Sequence, residues 1–182
     1  MPQIDILMIA DAEGILNKYG QAGSTSAPTD GPGSAQQPIT VDGSFVFFIT
    51  KAANAYAYNG NWQLYVSTGT ESEQGVDIVR WRSEGIDLGH KFACPITGFK
   101  FFPNSGAGRV ETPVLRHYST TFVTTDPADA TKPMVQKGID RCWETRAVTD
   151  GNIGYNVIFM IVDEQGNVRI HTQVDPTFVI QG

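Results

Sequence analysis

Tyr155-Asn156-Val157-Ile158-Phe159-Met160-Ile161-Val162, then Asp163-Glu164-Gln165-Gly166-Asn167, then Val168-Arg169-Ile170-His171-Thr172-Gln173-Val174: this stretch decides the fold. The first segment is rich in β-branched and aromatic residues and lies between turn signals, so it reads as a strand. From Val157 to Val162 it is apolar on both parities. Such a strand should lie centrally, covered on both faces by the protein or by a second subunit. In the connection that follows, Gly166 is available for the residue that needs positive φ, which makes a hairpin. Beyond it Val168, Ile170 and Val174 alternate with Arg169, His171 and Gln173, a strand with one wet face.

Working outward, further runs of the same composition lie between turn signals. They are Ile4 to Ala10, Phe45 to Thr50, Trp62 to Ser67, Val76 to Arg82, Phe99 to Phe102, Tyr118 to Thr124, Cys142 to Val148 and Thr177 to Ile180. One helix is expected, capped by Asp11, with Ala12, Ile15, Leu16 and Tyr19 on one face and Gly20 to stop it, although Gly14 weakens it. Residues 21–38 are Gly/Ser/Pro-rich without periodicity, a long surface loop inside one domain. The expectation is an all-β fold: an antiparallel β-sandwich of about ten strands, with at most one short helix near the N-terminus, in one domain over residues 1–182.

Composition supports this reading. The chain has 182 residues, 41% hydrophobic and only 18% charged, with 19 Gly and 10 Pro as punctuation. That length buries a core without a metal or disulfide staple. Its net charge of −6 argues against nucleic acid as a partner. The longest apolar stretch is far short of the ~20 residues that cross a bilayer, so no membrane partner is expected. Met1 to Ala10 lacks the basic residues of a secretory signal, and no N-x-[ST] acceptor occurs. Cys94 and Cys142 form no C-x-x-C and read as reduced, buried thiols. A cytoplasmic location is the economical expectation.

The chemical constellations are sparse. His90, His117 and His171 lack metal-ligand spacing, and each reads as a solvated or singly hydrogen-bonded histidine before a ligand or general base. There is no G-x-S-x-G elbow to place a serine nucleophile. Cys94 beside Pro95 reads as a core filler before a reactive thiol. Gly106-Ala107-Gly108 lacks the third glycine of a phosphate-binding turn, and a loop is expected there. Asp11 with Glu13, and Asp163 with Glu164, are acidic pairs without calcium-loop spacing, explained by helix capping and hairpin solvation. In Arg80-Trp81-Arg82, alternation puts Trp81 in the core with Val79 and sends both arginine heads to solvent on the opposite face. No catalytic, cofactor-binding or metal-binding residue is nominated, and no cofactor is expected.

Three signatures in order resemble the AidA/PixA inclusion-body protein family of bacteria. Ile4 to Ala10 followed by Asp11-Ala12-Glu13-Gly14 resembles its opening strand and D-x-E-G turn. Val76-Asp77-Ile78-Val79-Arg80-Trp81-Arg82-Ser83 is similar to the strand containing its I-x-W element. Tyr155 to Asp163, leading through a Gly turn to Asp175-Pro176, is similar to its closing strands. The long loop and Phe92 to Pro103 depart from the family pattern. The resemblance implies a cytoplasmic, highly expressed bacterial protein linked to quorum-sensing control and, in some members, to crystalline inclusions. It implies no reaction and carries over no catalytic residue.

Two functional classes follow. The first is a non-catalytic protein that associates with itself, as a homodimer or higher oligomer, or in an inclusion. The second is a module binding a sugar or other small ligand, in which Tyr56, Tyr58 and Trp62 flank Asn54, Asn59, Gly60 and Asn61 and pair flat apolar faces with amide donors. A plain turn with Trp62 in the core is the simpler reading of that segment. A hydrolase stands third.

Overall fold

The computed structural model describes residues 3–20, 33–50, 55–58, 61–67, 78–86, 91–104, 107–149 and 151–181, with backbone alone for 55–58, 61–67, 130 and 177–181. Two sheets face each other across one core. The first has the order β3 (Val46–Ile49), β1 (Gln3–Ala10), β6 (Ile78–Gly85), β10 (Asp129–Arg146), β9 (Val114–Asp126).

The second sheet is built around β11 (Gly151–Asp163). Along one edge of β11 run β12 (Val168–Val174) and β13 (Thr177–Gln181), which keep one continuous register from Val157↔Val174 to Gly151↔Ile180. Along the other edge run β7 (Phe92–Ala93) and β8 (Ile96–Phe101). Pro176 and Pro95 stand in the two breaks, because a residue without an N–H cannot donate to the ladder. Outside β12 and β13 lie β2 (Ile39–Thr40) and β5 (Asn61–Ser67), with β4 (Ala55–Tyr58) beyond β5.

All ten strands expected from sequence are present. Three more, β2, β4 and β7, were too short to show a period. The expected antiparallel arrangement needs correction, since β1 pairs with β6, β2 with β12 and β5 with β13 in parallel. Parallel neighbours need a long crossover, and each of these pairs is separated by enough chain to supply one. Residues 21–32 of the Gly/Ser/Pro loop lie outside the described residues.

Alternation explains the core. On β1, Ile4, Ile6, Met8 and Ala10 are buried, and Val79 and Trp81 face the same way from β6. Ile153, Tyr155, Val157, Phe159 and Ile161 answer from β11. Trp81 joins the layers: its ring centroid lies 4.8 Å from Phe99 and 6.1 Å from Tyr155, and its Nε1–H reaches the Tyr155 hydroxyl at 3.4 Å. Strand β11 is central, with neighbours on both edges, but only one of its faces is fully covered. Ile158, Met160 and Val162 are half-buried.

The helix, α1 (Ala12–Tyr19), buries Ala12 and Ile15. The Asp11 carboxylate accepts the Gly14 N–H at 2.9 Å, and the Asp11 N–H donates to the Phe45 carbonyl. A Cβ on Gly14 would stand 2.3 Å from that carboxylate and 2.8 Å from the Phe45 ring. The glycine that argued against the helix is what lets its cap close. Gly20 ends the helix in the right-handed region, its N–H bonded to the Leu16 carbonyl.

Candidate functional site

Strands β9 and β10 form a long antiparallel ribbon, in register from Glu144↔Val114 to Pro133↔Thr125. Only the last residues of β10, from Trp143 to Arg146, also pair with β6. The rest of the ribbon is an arm that, among the described residues, has backbone pairing on its inner seam alone. An isolated two-stranded ribbon is marginal in water, so such an arm is unusual without a further neighbour.

The arm exposes large apolar side chains among its polar ones. On the face it shares with Trp143 are Leu115, Val123, Val135 and Ile139, of which Val123 and Val135 are 69% and 66% exposed. On the other face Phe122 lies across Gly138, where a Cβ would stand 2.5 Å from its ring. A ring folded over a cross-strand glycine supplies the packing that the glycine lacks. In a chain of net charge −6, this segment carries Arg116, Lys132, Lys137 and Arg141 against Asp126, Asp129 and Asp140.

Where β10 departs from β6, side chains replace the ladder. Arg82 donates from Nε and Nη2 to the two oxygens of Asp140, at 2.8 and 2.5 Å, and from Nη1 to Asp5 at 2.6 Å. Arg80 donates to Glu144 at 2.8 Å, to Gln3 at 2.5 Å and to the Tyr118 hydroxyl, which donates to Glu144 at 2.7 Å. The hydrogen bonds from Arg82 hold the Asp140 carboxyl below its ordinary range. Burial pushes Glu144 up, but Tyr118 and Arg80 outweigh it and the net direction is down. These arginines therefore do not simply reach solvent, as alternation suggested; they tie the root of the arm to β1 and β6.

Behind the Arg82–Asp140 pair opens a cleft of about 610 Å³. Its walls include Trp81, Pro95, Ile96, Leu115, Ile139 and Trp143. Cys94 lies at the same place and is buried.

The residues nominated from sequence do not converge. His117 is exposed on the arm, and His90 lies outside the described residues. His171 sits on β12 with a buried Nδ1 that has no hydrogen-bond partner among the described residues. Cys94 and Cys142 are both buried and unbridged, and burial pushes the Cys142 thiol up. Asp163 accepts the N–H groups of Gln165 and Asn167 in the hairpin, while Asp11 caps α1 and Glu13 pairs with Lys91. Gly108 has φ +80 in a turn, and Gly106 lies outside the described residues. Among the described residues no group of three or more His, Cys, Asp and Glu could hold a metal ion, and no helix is long and apolar enough to cross a membrane.

For the aromatic segment, β4 and β5 pair Tyr56 with Gln63, Ala57 with Trp62 and Tyr58 with Asn61. The two tyrosines thus hold positions of one parity and Trp62 the other. Their side chains, with Asn54, Asn59 and Gly60, lie outside the described residues. The arm itself was half legible. Tyr118 to Thr124 reads as a strand, but Lys132, Pro133, Lys137 and Gly138 hide its partner. Asp126-Pro127-Ala128-Asp129, a turn tetrad between them, was the available signal.

Against known proteins, residues 2–180 match the family described as PixA, inclusion body protein. The fold is similar to the crystal structure of an inclusion body protein of that family from Burkholderia cenocepacia, with a TM-score of 0.72 at 15% identity, covering 99% of this chain and 96% of that one. At that identity the likeness establishes the fold alone. No curated protein matches the chain.

Proposed function

Because the chain belongs to the PixA inclusion body protein family, we propose that it is a non-catalytic protein whose working property is self-association, into oligomers or inclusions in the bacterial cytoplasm, produced under quorum-sensing control. The observation that carries this reading is the β9–β10 arm. Leu115, Phe122, Val123, Val135 and Ile139 are each about half exposed or more on an element that, among the described residues, has no other strand beside most of its length. Exposed apolar side chains in this number, on both faces of an open ribbon, favour burial against another protein surface. The shared use of the fold in an inclusion body protein makes a copy of the same chain the simplest occupant. Light scattering across a concentration series should give a mass above the monomer at high micromolar protein. A strict monomer there overturns the proposal.

The cleft behind Arg82 favours a second reading, a module for a small ligand or sugar. Its size falls within the range of ligand pockets, and it sets Trp143, Leu115 and Ile96 beside the charged Asp140 and Arg141. A glycan array and a thermal-shift panel test it. No signal and no shift in either removes it.

A further inference from the structure

The arm has two open backbone edges, and they differ in kind. The edge of β10 carries Lys132, Pro133, Lys137 and a register shift between Asp129 and Pro133. Those are the devices by which proteins prevent an edge from pairing with another chain. The edge of β9, Val114 to Asp126, carries none of them. It has no lysine, no proline and no register shift, and it is rich in Thr, Val, Phe and Tyr. Twelve uninterrupted pairs with β10, from Val114 to Thr125, hold it straight on its inner side. Nothing pairs with its outer side among the described residues.

The sequence of β9 is self-complementary. Its formal charges are Arg116 near one end and Asp126 at the other, and Thr121 lies midway between them. Two copies run antiparallel about a twofold axis at Thr121 would set Arg116 of each opposite Asp126 of the other. Tyr118 would face Thr124, Ser119 would face Val123, and Thr120 would face Phe122. Cross-strand opposite charges and aromatic or β-branched pairs are the combinations that stabilise neighbouring strands.

The same register gathers the exposed apolar residues. Val123 is paired with Val135 and Ser119 with Ile139 inside one arm. Placing Ser119 of one copy opposite Val123 of the other joins these rows across the axis on one face. We infer that the outer edge of β9 is the site at which a second copy of this chain adds, antiparallel and in register about Thr121, making one continuous sheet from the two five-stranded ones. This inference rests on the self-association reading and specifies where it occurs. An interface of this kind is isologous and closes at two copies.

Thr121 is exposed and stands opposite Lys137 inside its own arm, so Thr121→Glu should leave the monomer fold intact while placing two like charges opposite each other at the axis. Sedimentation equilibrium should show at least a tenfold weaker dimer, with unchanged circular dichroism. Arg116→Glu and Asp126→Lys should each weaken the dimer, and the double variant should recover relative to Asp126→Lys. That comparison cancels the loss of the turn bond from the Ala128 N–H to Asp126. The register has a covalent readout as well. Thr121→Cys should oxidise to a disulfide-linked dimer, whereas Ser119→Cys, displaced from its own copy by four positions, should not. If the native protein is itself a strict monomer, the self-association reading fails. If it associates but Thr121→Glu associates equally and Thr121→Cys does not cross-link, the reading stands and the β9 edge is wrong. If Ser119→Cys cross-links in place of Thr121→Cys, or the double variant shows no recovery, the register is wrong.

Discussion

Replacing Trp81 with alanine removes the largest side chain that bridges the two sheets. The indole is fully buried, in contact with the rings of Phe99 and Tyr155, and its Nε1–H points at the Tyr155 hydroxyl. Truncating a buried Trp or Phe costs about 3–5 kcal/mol, because transfer energy is lost and the cavity collapses only partly. In a domain of this size each kcal/mol lowers the melting temperature by about 2–4 °C, so a drop on the order of 6–20 °C is expected. Against a typical total stability of about 5–15 kcal/mol, that is enough to make the protein poorly soluble on expression. Scanning calorimetry, with urea denaturation for variants that remain soluble, gives the number directly. Trp81→Phe should fall between the two, since it keeps a ring against Phe99 and loses the N–H. A melting temperature within about 3 °C of the native value, with loss of a binding activity instead, would refute the core assignment and move the cleft reading ahead.

Gly14→Ala should lower the melting temperature even though alanine is the better helix former, because its Cβ meets the Asp11 cap and the Phe45 ring; calorimetry showing a gain would contradict the cap geometry. Asp140 and Glu144 titrate below their ordinary values in the fold, so the stability they contribute is present above about pH 5 and is lost as the pH falls below about 4. Melting curves from pH 3 to 7 should show that decline, and Asp140→Asn should flatten it. Arg80→Ala should cost about 1–3 kcal/mol by urea denaturation, because it removes a charge-assisted hydrogen bond to the buried Glu144; a value near zero would mean that Tyr118 alone satisfies the carboxylate. Both cysteines are buried and unbridged, so thiol titration should find two free groups after denaturation and slow reaction before it; fewer than two would indicate a disulfide.

Alternation made much of this fold readable. Val79 and Trp81 against Arg80 and Arg82, or Val168, Ile170 and Val174 against Arg169, His171 and Gln173, state which side of a strand is dry before any partner is known. The capping of α1 by Asp11 and the turn at Gly166 were equally local, and both stand in the structure. The arginines were the first place where local reading fell short. Their face was right, but their partners Asp5, Asp140, Glu144 and Tyr118 come from three other strands.

The sequence by itself determined the class of the protein, the central place of Val157 to Val162 and the family signatures, because side-chain periodicity and turn chemistry act over a few residues. Tertiary structure alone decided which strands run parallel, since that depends on where long connections return. It also decided that β10 meets β6 only from Trp143 to Arg146, and that an ordinary-looking strand, Val114 to Asp126, ends its sheet with no further strand beside it among the described residues. An edge is defined by the absence of a neighbour, and no residue on β9 encodes that absence.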